Sequence, residues 1–176
     1  MLRRTLLLLA PCALLLSACA GAPTANRPEA AATPAAAPSP TPAPQILTAA
    51  AEETRLAAGG SGEAALRLDI ADGWHVNANP PSDKFYIGTE VQAEAGGGIA
   101  PGKPVYPKGL TKKFEFSEQP LAVYEGSVVV KLPLRAEPSA AKGTRALRGR
   151  VRYQPCNDRE CLQPRTIEAE IPLTVS

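Results

Sequence analysis

The sequence predicts an all-β fold, an antiparallel β-sandwich that follows a disordered tether rich in alanine and proline. Hydrophobic and polar residues alternate with a period of two in several segments. Clusters of glycine, proline, asparagine and aspartate separate these segments. Sustained helical periodicity without helix-breaking residues does not occur in the sequence. Short strands with frequent turns favour two packed sheets in an immunoglobulin-like arrangement.

The first segment of the chain is typical of an export signal. Arg3 and Arg4 precede the apolar run 6–16, which is too short to span a bilayer but fits a signal peptide. The run closes with Leu-Ser-Ala-Cys ending at Cys19, which resembles the recognition site of bacterial lipoprotein signal peptidase. An ordinary signal peptide with an incidental cysteine is the alternative. We expect a lipoprotein signal peptide at residues 1–18 and a lipid on the Cys19 sulfur, with a membrane as the anchor.

Residues 19–45 are predicted to form an extended tether behind the lipidated cysteine. They are almost entirely alanine, proline, threonine and serine, a composition that cannot bury a core. Proline-rich chain extends by about 3 Å per residue, so the tether can hold a folded domain well away from a membrane. Ala20 is not the aspartate associated with retention at the inner membrane. We therefore expect a lipid-anchored protein outside the cytoplasm, at the outer rather than the inner membrane.

Export also changes the charge and the cysteine inventory. The full chain has 19 basic and 17 acidic residues, and removal of the two signal-peptide arginines leaves 17 of each. A net charge near zero argues against nucleic acid as a partner. Of the four cysteines, Cys12 leaves with the signal and Cys19 carries lipid, so Cys156 and Cys161 remain. Such a pair in an exported protein is normally oxidisable.

Residues 46–176 are predicted to form one sandwich domain. Its alternating segments, in chain order, are 66–70, 128–134, 147–153 and 167–175. Three aromatic residues between the first two segments are expected in the core, with a role in covering a site as the alternative: Trp74, Phe85 and Tyr86.

The last two alternating segments are predicted to pair as an antiparallel hairpin. Opposite charges then meet on one face and apolar residues on the other, with the pairs Arg152–Glu168, Arg150–Glu170, Tyr153–Ile167 and Val151–Ala169. This register places Cys156 and Cys161 close together at the exposed end of the sandwich, within the distance that a disulfide requires.

A bridge between Cys156 and Cys161 could be a structural staple or a reactive centre. Loop-closure entropy gives a ring this short only about 2 kcal/mol, and the bridge joins no distant parts of the chain. An exposed loop leaves sulfur open to an incoming thiolate, as thiol–disulfide exchange requires. Arg159 favours a thiolate, whereas Glu160 opposes it. The residues alone leave both roles open.

Residues 153–164 read Tyr-Gln-Pro-Cys-Asn-Asp-Arg-Glu-Cys-Leu-Gln-Pro. This cysteine segment resembles the N-terminal periplasmic domain of the thiol:disulfide interchange protein DsbD, and it carries the most specific likeness. Segments 73–90, 105–107 and 123–126 are similar to upstream segments of that family and occur in the same order. The resemblance spans 46–176. It implies an immunoglobulin-like sandwich whose cysteines pass electrons from a thioredoxin-like or DsbD-type membrane redox protein to oxidised periplasmic proteins.

The resemblance also implies roles for individual residues. Cys161 is implied to form the mixed disulfide with partners, and Cys156 to resolve it. The family shields its cysteines with an aromatic cap loop, and Phe114 and Phe116 occupy the corresponding place here. The spacing of four residues between the cysteines is shorter than in the best-known member. Because the likeness covers only an N-terminal domain, we expect the electron donor to be a separate protein.

Other site chemistry has weaker support in the sequence. Trp74 and His75 are candidate site-lining residues, although His75 could equally face solvent or serve the structure alone. A zinc site needs more ligands than two cysteines and one histidine readily supply. Copper(I) capture by two sulfurs is a further possibility, but no methionine lies near the pair. A cysteine hydrolase lacks an indicated third orienting group. We expect no metal and no cofactor beyond the cysteines themselves.

Two classes of function therefore follow from the sequence. The first is thiol–disulfide exchange with protein partners, an interchange activity of the protein-disulfide reductase type. The second is a non-catalytic immunoglobulin-like envelope lipoprotein that binds a protein partner and keeps Cys156 and Cys161 as a structural bridge. Replacement of both cysteines by serine separates them, because it abolishes exchange and spares surface binding.

Overall fold

The structure, a computed structural model, describes residues 44–176. The predicted signal peptide, the predicted lipidation site Cys19 and nearly all of the predicted tether lie outside the described residues. Every regular element within 44–176 is a β-strand, which confirms the all-β prediction. A search of the same residues for a helix of membrane-spanning length and apolarity finds none.

The strands of the described region, in chain order, are β1 Leu47–Ala51, β2 Thr54–Leu56, β3 Ser61–Ile70, β4 His75–Asn77, β5 Glu90–Ala93, β6 Ile99–Pro101, β7 Leu110–Lys112, β8 Leu121–Tyr124, β9 Ser127–Ala136, β10 Gly143–Tyr153, β11 Pro155–Cys156 and β12 Arg165–Val175.

These strands form three four-stranded sheets, with the orders β1-β3-β9-β6, β2-β12-β10-β5 and β11-β4-β8-β7. Neighbouring strands are antiparallel except for β2, which runs parallel to β12. The first two sheets form the two layers of an immunoglobulin-like sandwich. The third sheet was not foreseen, because its strands contain only two to four residues and are too short to show alternation.

The core shows where the third sheet sits. One cluster of buried side chains draws residues from all three sheets, including Leu68, Val151 and Val76. A second cluster, with Leu132 and Ile171, draws only on the two sandwich sheets. The third sheet therefore covers one end of the sandwich, and the opposite end is closed by the sandwich sheets themselves.

The long strands follow the predicted alternation. In β3, the even-numbered residues Ala64, Leu66, Leu68 and Ile70 are buried, while the residues between them are exposed or half-buried. The strands β9, β10 and β12 show the same period. Each strand presents one apolar face to the opposite sheet, as a half-buried sandwich strand must.

The predicted hairpin exists, but its register is wrong by two residues. The observed pairs include Arg150–Glu168, Arg148–Glu170, Val151–Ile167 and Tyr153–Arg165. A slip of one residue would exchange the two faces, whereas a slip of two preserves them. Because arginines recur at every second position of β10, charge matching satisfies both registers equally. The sequence pattern could therefore fix the face of each residue but not its partner.

The three aromatic residues expected in the core have different surroundings. Trp74 is half-buried against the main core. Tyr86 is half-buried against a small separate cluster, together with Phe114. The expectation for Phe85 is wrong, because this residue is 81% exposed and its ring lies 5.1 Å from Lys84 Nζ. Phe85 belongs to an irregular loop after β4, where no alternation indicates which way a side chain points.

Candidate functional site

The cysteine loop leaves the sandwich at the end of β10. After Tyr153, the chain turns away from its β12 partner, and β11 pairs with β4 at the edge of the third sheet. In this pairing Cys156 lies opposite His75, and Pro155 lies opposite Val76. Proline is compatible with an edge strand because it has no N–H to donate to a further neighbour. The short third sheet is thus what holds the first cysteine in place.

The four residues between the cysteines form a closed turn. The Asn157 side-chain oxygen accepts hydrogen bonds from the N–H groups of Arg159 and Glu160, at 2.8 and 2.9 Å. The Asn157 N–H donates to the Glu160 carbonyl at 2.9 Å. Below the cysteines, the Leu162 N–H donates to the Pro155 carbonyl at 2.8 Å. These bonds join backbone groups and the Asn157 side chain and do not involve the sulfurs.

Cys156 and Cys161 form a disulfide, with their Cα atoms 4.0 Å apart. They are close together as predicted, but the prediction that both lie exposed at a hairpin tip is wrong for Cys156. Cys156 is only 1% exposed, whereas Cys161 is half-buried. The cause is the pairing of β11 with β4, which covers Cys156 and leaves Cys161 on the outer side of the turn. The two cysteine residues therefore differ in their access to solvent.

A stack of three rings adjoins the disulfide. The His75 and Phe114 ring centroids are 4.2 Å apart with the planes 18° from parallel. Phe116 stacks on the other side of Phe114, at 5.2 Å and 14°. Exposure rises outward along the stack, from 1% for His75 through 6% for Phe114 to 37% for Phe116. Phe114 thus closes the buried space around His75, and Phe116 forms the surface.

The loop that carries the two phenylalanines connects β7 to β8 and is held by its own polar groups. Lys113 Nζ donates to the Ser117 carbonyl at 2.7 Å. The Ser117 hydroxyl donates to the Gln119 carbonyl at 2.7 Å and accepts a longer bond, 3.4 Å, from the Tyr86 hydroxyl. Few apolar contacts fix this loop beyond Phe114 itself. It is therefore a segment that can open at low cost.

His75 is a buried imidazole in an uneven electrostatic environment. Its Nε2 atom has no hydrogen-bond partner within residues 44–176. Burial lowers the pKa of His75, and the nearby Lys112 lowers it further. The carboxylates of Glu125 and Asp158 act in the opposite direction. The environment favours the neutral ring but places two negative charges near it.

A cleft of about 290 Å³ opens beside this histidine. It is lined by Trp74 and His75, by the Lys112–Glu125 ion pair, and by Asp158 from the turn between the cysteines. Lys112 Nζ lies 2.7 Å from the nearer Glu125 oxygen. Sequence reasoning missed Lys112, Glu125 and Asp158. Although Glu125 and Asp158 lie inside segments that resemble the family, nothing in those segments indicates that their side chains approach His75. Only the fold brings them together.

The predicted site residues therefore fall into two groups. Cys156, Cys161, His75, Phe114 and Phe116 lie in one continuous arrangement of disulfide, strand pair and ring stack. Trp74 reaches the same place only as a wall of the cleft. In residues 44–176, no group of three or more histidine, cysteine or acidic side chains is arranged to hold a metal ion.

The fold and the site define an immunoglobulin-like domain with a disulfide in a short loop at the end of the sandwich. Comparison with protein families identifies which domain of this class it is. Residues 43–172 match the family described as "Thiol:disulfide interchange protein DsbD, N-terminal", and the chain belongs to that family. Comparison with curated protein sequences gives no match.

Solved structures give three similar folds. The N-terminal periplasmic domain of ScsB from Proteus mirabilis is 15% identical, with a TM-score of 0.48 and 71% of this chain covered; the alignment spans 44% of that chain. The Coh-OlpC-Doc435 cohesin–dockerin complex of Clostridium thermocellum gives 12% identity and a TM-score of 0.42, and the alignment covers 78% of this chain and 99% of that chain. A PapD-like domain of human CEP192 gives 11% identity and a TM-score of 0.35, and the alignment covers 81% of this chain and 96% of that chain.

Proposed function

We propose that this protein performs thiol–disulfide exchange through Cys156 and Cys161. The observation that supports the proposal is the unequal burial of the two cysteine residues, 1% exposure for Cys156 and half-burial for Cys161, in a domain of the DsbD N-terminal family. Exchange requires one accessible sulfur for the incoming thiolate and one sulfur that leaves but stays nearby. The loop supplies both.

In the first step, a partner thiolate attacks the Cys161 sulfur. A new S–S bond forms between the partner and Cys161, the bond to Cys156 breaks, and its electron pair remains on Cys156. A second thiolate of the same partner then attacks the partner sulfur of the mixed disulfide, and Cys161 leaves as a thiolate. The partner leaves oxidised, and the domain keeps two electrons as a dithiol.

In the second half of the cycle, the Cys161 thiolate attacks the disulfide of an oxidised protein. Cys156 resolves the resulting mixed disulfide and re-forms its bond to Cys161. The hydrogen bonds of Asn157 and the β11–β4 pair hold Cys156 beside Cys161 throughout, because neither depends on the S–S bond. A resolving sulfur kept in place converts the closing step into a fast intramolecular reaction.

The ring stack supports the proposal that Phe114 and Phe116 act as a cap. Phe114 covers the buried face of His75, the strand partner of Cys156, and Phe116 covers Phe114. A cap of this kind delays small thiols and yields to a partner that offers contacts of its own. Trp74 contributes a wall of the adjoining cleft.

The proposed partners are thioredoxin-like or DsbD-type membrane redox proteins as donors, and oxidised periplasmic proteins as acceptors. The proposed organisation is a signal peptide at 1–18, a tether at 19–45 anchored by lipid on Cys19, and an exchange domain at 46–176. A tethered domain on the periplasmic side of the outer membrane could reach partners in the envelope through its proline-rich segment.

A second function is favoured by one observation, the near-complete burial of Cys156. A buried sulfur beside a well-bonded turn is also what a structural bridge needs. In that case the domain is a non-catalytic envelope lipoprotein that binds a protein partner through its sandwich surface. The two functions differ in how easily the bridge is reduced.

The reduction potential of the full chain tests this choice. The protein is equilibrated with dithiol buffers, and free thiols are counted by alkylation. A midpoint well above about −300 mV marks a labile, exchange-competent pair, whereas a lower midpoint marks a structural bridge and contradicts the proposal.

Single-cysteine variants test the assignment of the two sulfurs. Cys156→Ser leaves Cys161 free, and we expect a small alkylating reagent to modify it rapidly in the folded protein. Cys161→Ser is the matched control, because it leaves Cys156 free but covered, and its alkylation is expected to be slow. Equal rates in the two variants would contradict the assignment of Cys161 as the attacked sulfur.

A further inference from the structure

His75 has no part in the exchange steps above, although it lies next to Cys156. Its Cα atom is the strand partner of the Cys156 Cα atom in the β4–β11 pair. Residues directly opposite each other in antiparallel strands project to the same face, with Cβ atoms about 4.5–5.5 Å apart. Each of the two residues is 1% exposed. The imidazole and the Cys156 sulfur therefore share one enclosed space.

The Nε2 atom of His75 lacks a partner in this space. It is buried and makes no hydrogen bond to any of residues 44–176. An unpaired buried nitrogen is costly, and such groups call for an explanation. A disulfide sulfur has no proton to donate and no charge to attract a donor. Opening the disulfide changes this, because the leaving Cys156 becomes a thiolate.

We propose that His75 is the proton partner of Cys156. When the disulfide opens, Nε2 donates a hydrogen bond to the Cys156 sulfur and delivers the proton that turns its thiolate into a thiol. The inference rests on the proposed exchange function and adds to it the group that neutralises the buried leaving sulfur.

The step balances in atoms and charge. The partner sulfur bonds to Cys161, and the electron pair of the broken S–S bond stays on Cys156. The imidazole, protonated by solvent water, passes that proton from Nε2 to the Cys156 sulfur and returns to its neutral form. When Cys156 later attacks to re-form the bridge, the imidazole accepts the proton back.

The charges around His75 suit this exchange of a proton. Burial and Lys112 favour the neutral ring, whereas Glu125 and Asp158 favour the protonated ring. A thiolate at Cys156 adds one more negative charge beside the ring and shifts the balance towards protonation. The cleft lined by Glu125 and Asp158 connects the site to solvent, from which the proton comes. Phe114 covers the face of the ring on the other side.

Reduction of the full chain by dithiothreitol across about pH 5 to 8 tests the inference. The variant His75→Phe keeps an aromatic ring to stack on Phe114 and removes the nitrogens. We expect reduction to slow by about tenfold to a hundredfold near neutral pH, the rate equivalent of one hydrogen bond to a charged group. The deficit shrinks as pH rises, because the wild-type imidazole loses its proton.

Phe116→Leu is the matched control. It alters the outer layer of the ring stack but leaves Phe114 on the His75 ring, so any change in rate should be by a factor that is the same at every pH. A His75→Phe effect that is equally independent of pH would overturn the inference, because loss of packing alone gives that result.

The wild-type chain gives a second readout that needs no variant. His75 is the single histidine of the sequence, so its imidazole signal in a proton NMR spectrum is unambiguous. We expect its titration midpoint to change when the disulfide is reduced, because a thiol that can exchange a proton with Nε2 then replaces a sulfur that has none. An identical midpoint in both redox states would overturn the inference while leaving exchange itself intact. If thiols cannot reduce the wild-type bridge at all, the proposed function fails and this inference fails with it.

Discussion

The sandwich and the third sheet, parts of one domain, are built in contrasting ways. The strands β3, β9, β10 and β12 each contain 10 or 11 residues and bury aliphatic side chains in strict alternation. The third sheet has strands of two to four residues and buries the polar side chains of His75 and Asn77. The sandwich thus supplies most of the buried apolar core, whereas the third sheet positions a few polar side chains.

The difference explains where the disulfide can react without unfolding the domain. The sandwich core consists of two clusters of buried side chains, and neither cluster includes Cys156 or Cys161. The loop and the cap segment depend mainly on local hydrogen bonds, such as those of Asn157 and Ser117. Regions with few apolar contacts open locally at much lower free energy than the core. The comparison therefore predicts that stability and exchange respond to different substitutions.

The largest effect on stability is expected in the sandwich. Leu132 is 1% exposed in the cluster made by the two large sheets. Leu132→Ala should lower the free energy of unfolding by about 2–5 kcal/mol, through lost burial and the cavity it leaves. Urea unfolding of the oxidised protein measures this, and the rate of disulfide reduction in the folded protein should not change.

Val129 provides the control in the same strand. It is 42% exposed, so Val129→Ala should alter stability by no more than about 0.5 kcal/mol. A core substitution that also accelerated reduction many-fold at constant folded fraction would show that the two regions are not separable.

The cysteines should give the reverse pattern. Replacement of Cys156 and Cys161 by serine removes a ring of six residues, for which loop entropy predicts a loss of about 2 kcal/mol in the free energy of unfolding. Exchange is abolished entirely. Urea unfolding and an insulin-reduction assay with a thiol donor measure the two effects. A loss of stability as large as that of Leu132→Ala would mean that the bridge is a main structural element.

The cap should have a smaller effect on stability and a visible one on reactivity. Phe114→Leu keeps an apolar side chain but loses the ring contacts with His75 and Phe116, worth about 0.5–1.5 kcal/mol. We expect reduction by a small thiol to become several-fold faster. Phe116→Leu at the exposed end of the stack is the comparison, and its effect on both quantities should be smaller. Equal effects would show that the stack does not act as layers.

The sequence predicts the fold of the sandwich much better than that of the third sheet. In the sandwich, the period of two placed residues such as Leu68 and Ile171 on the inner faces, and the structure confirms it. In the third sheet no strand is long enough for a period to be visible. The pairing of β11 with β4, which buries Cys156, depends on contacts between segments about eighty residues apart, and no local pattern specifies it.

The site divides in a similar way. The cysteine pair is recognisable because residues 153–164 are similar to a known family, and the two phenylalanines because they occupy the place of that family's cap loop. Glu125 and Asp158 also lie in family-like segments, but their approach to His75 arises only from the fold. Phe85 was expected in the core, but it lies in an irregular loop, where the sequence does not indicate whether a side chain is buried, and it is exposed.

The register of β10 and β12 is the feature that the alternation pattern leaves undecided, and its test has the smallest expected effect. Glu168 lies opposite Arg150 in the structure, whereas the sequence favoured Arg152, whose observed partner is Thr166. In a double-mutant cycle with alanine, Arg150 and Glu168 should couple by about 0.2–1 kcal/mol, as directly opposed charges do. Arg152 and Glu168, which are diagonal, should couple less.

Urea unfolding of the single and double variants at low ionic strength gives both coupling energies. Arg150 also contacts Glu94, the residue that follows β5, at 3.2 Å, but this contact is present in both halves of the first cycle and cancels. A stronger coupling for Arg152 than for Arg150 would restore the register that the sequence favoured.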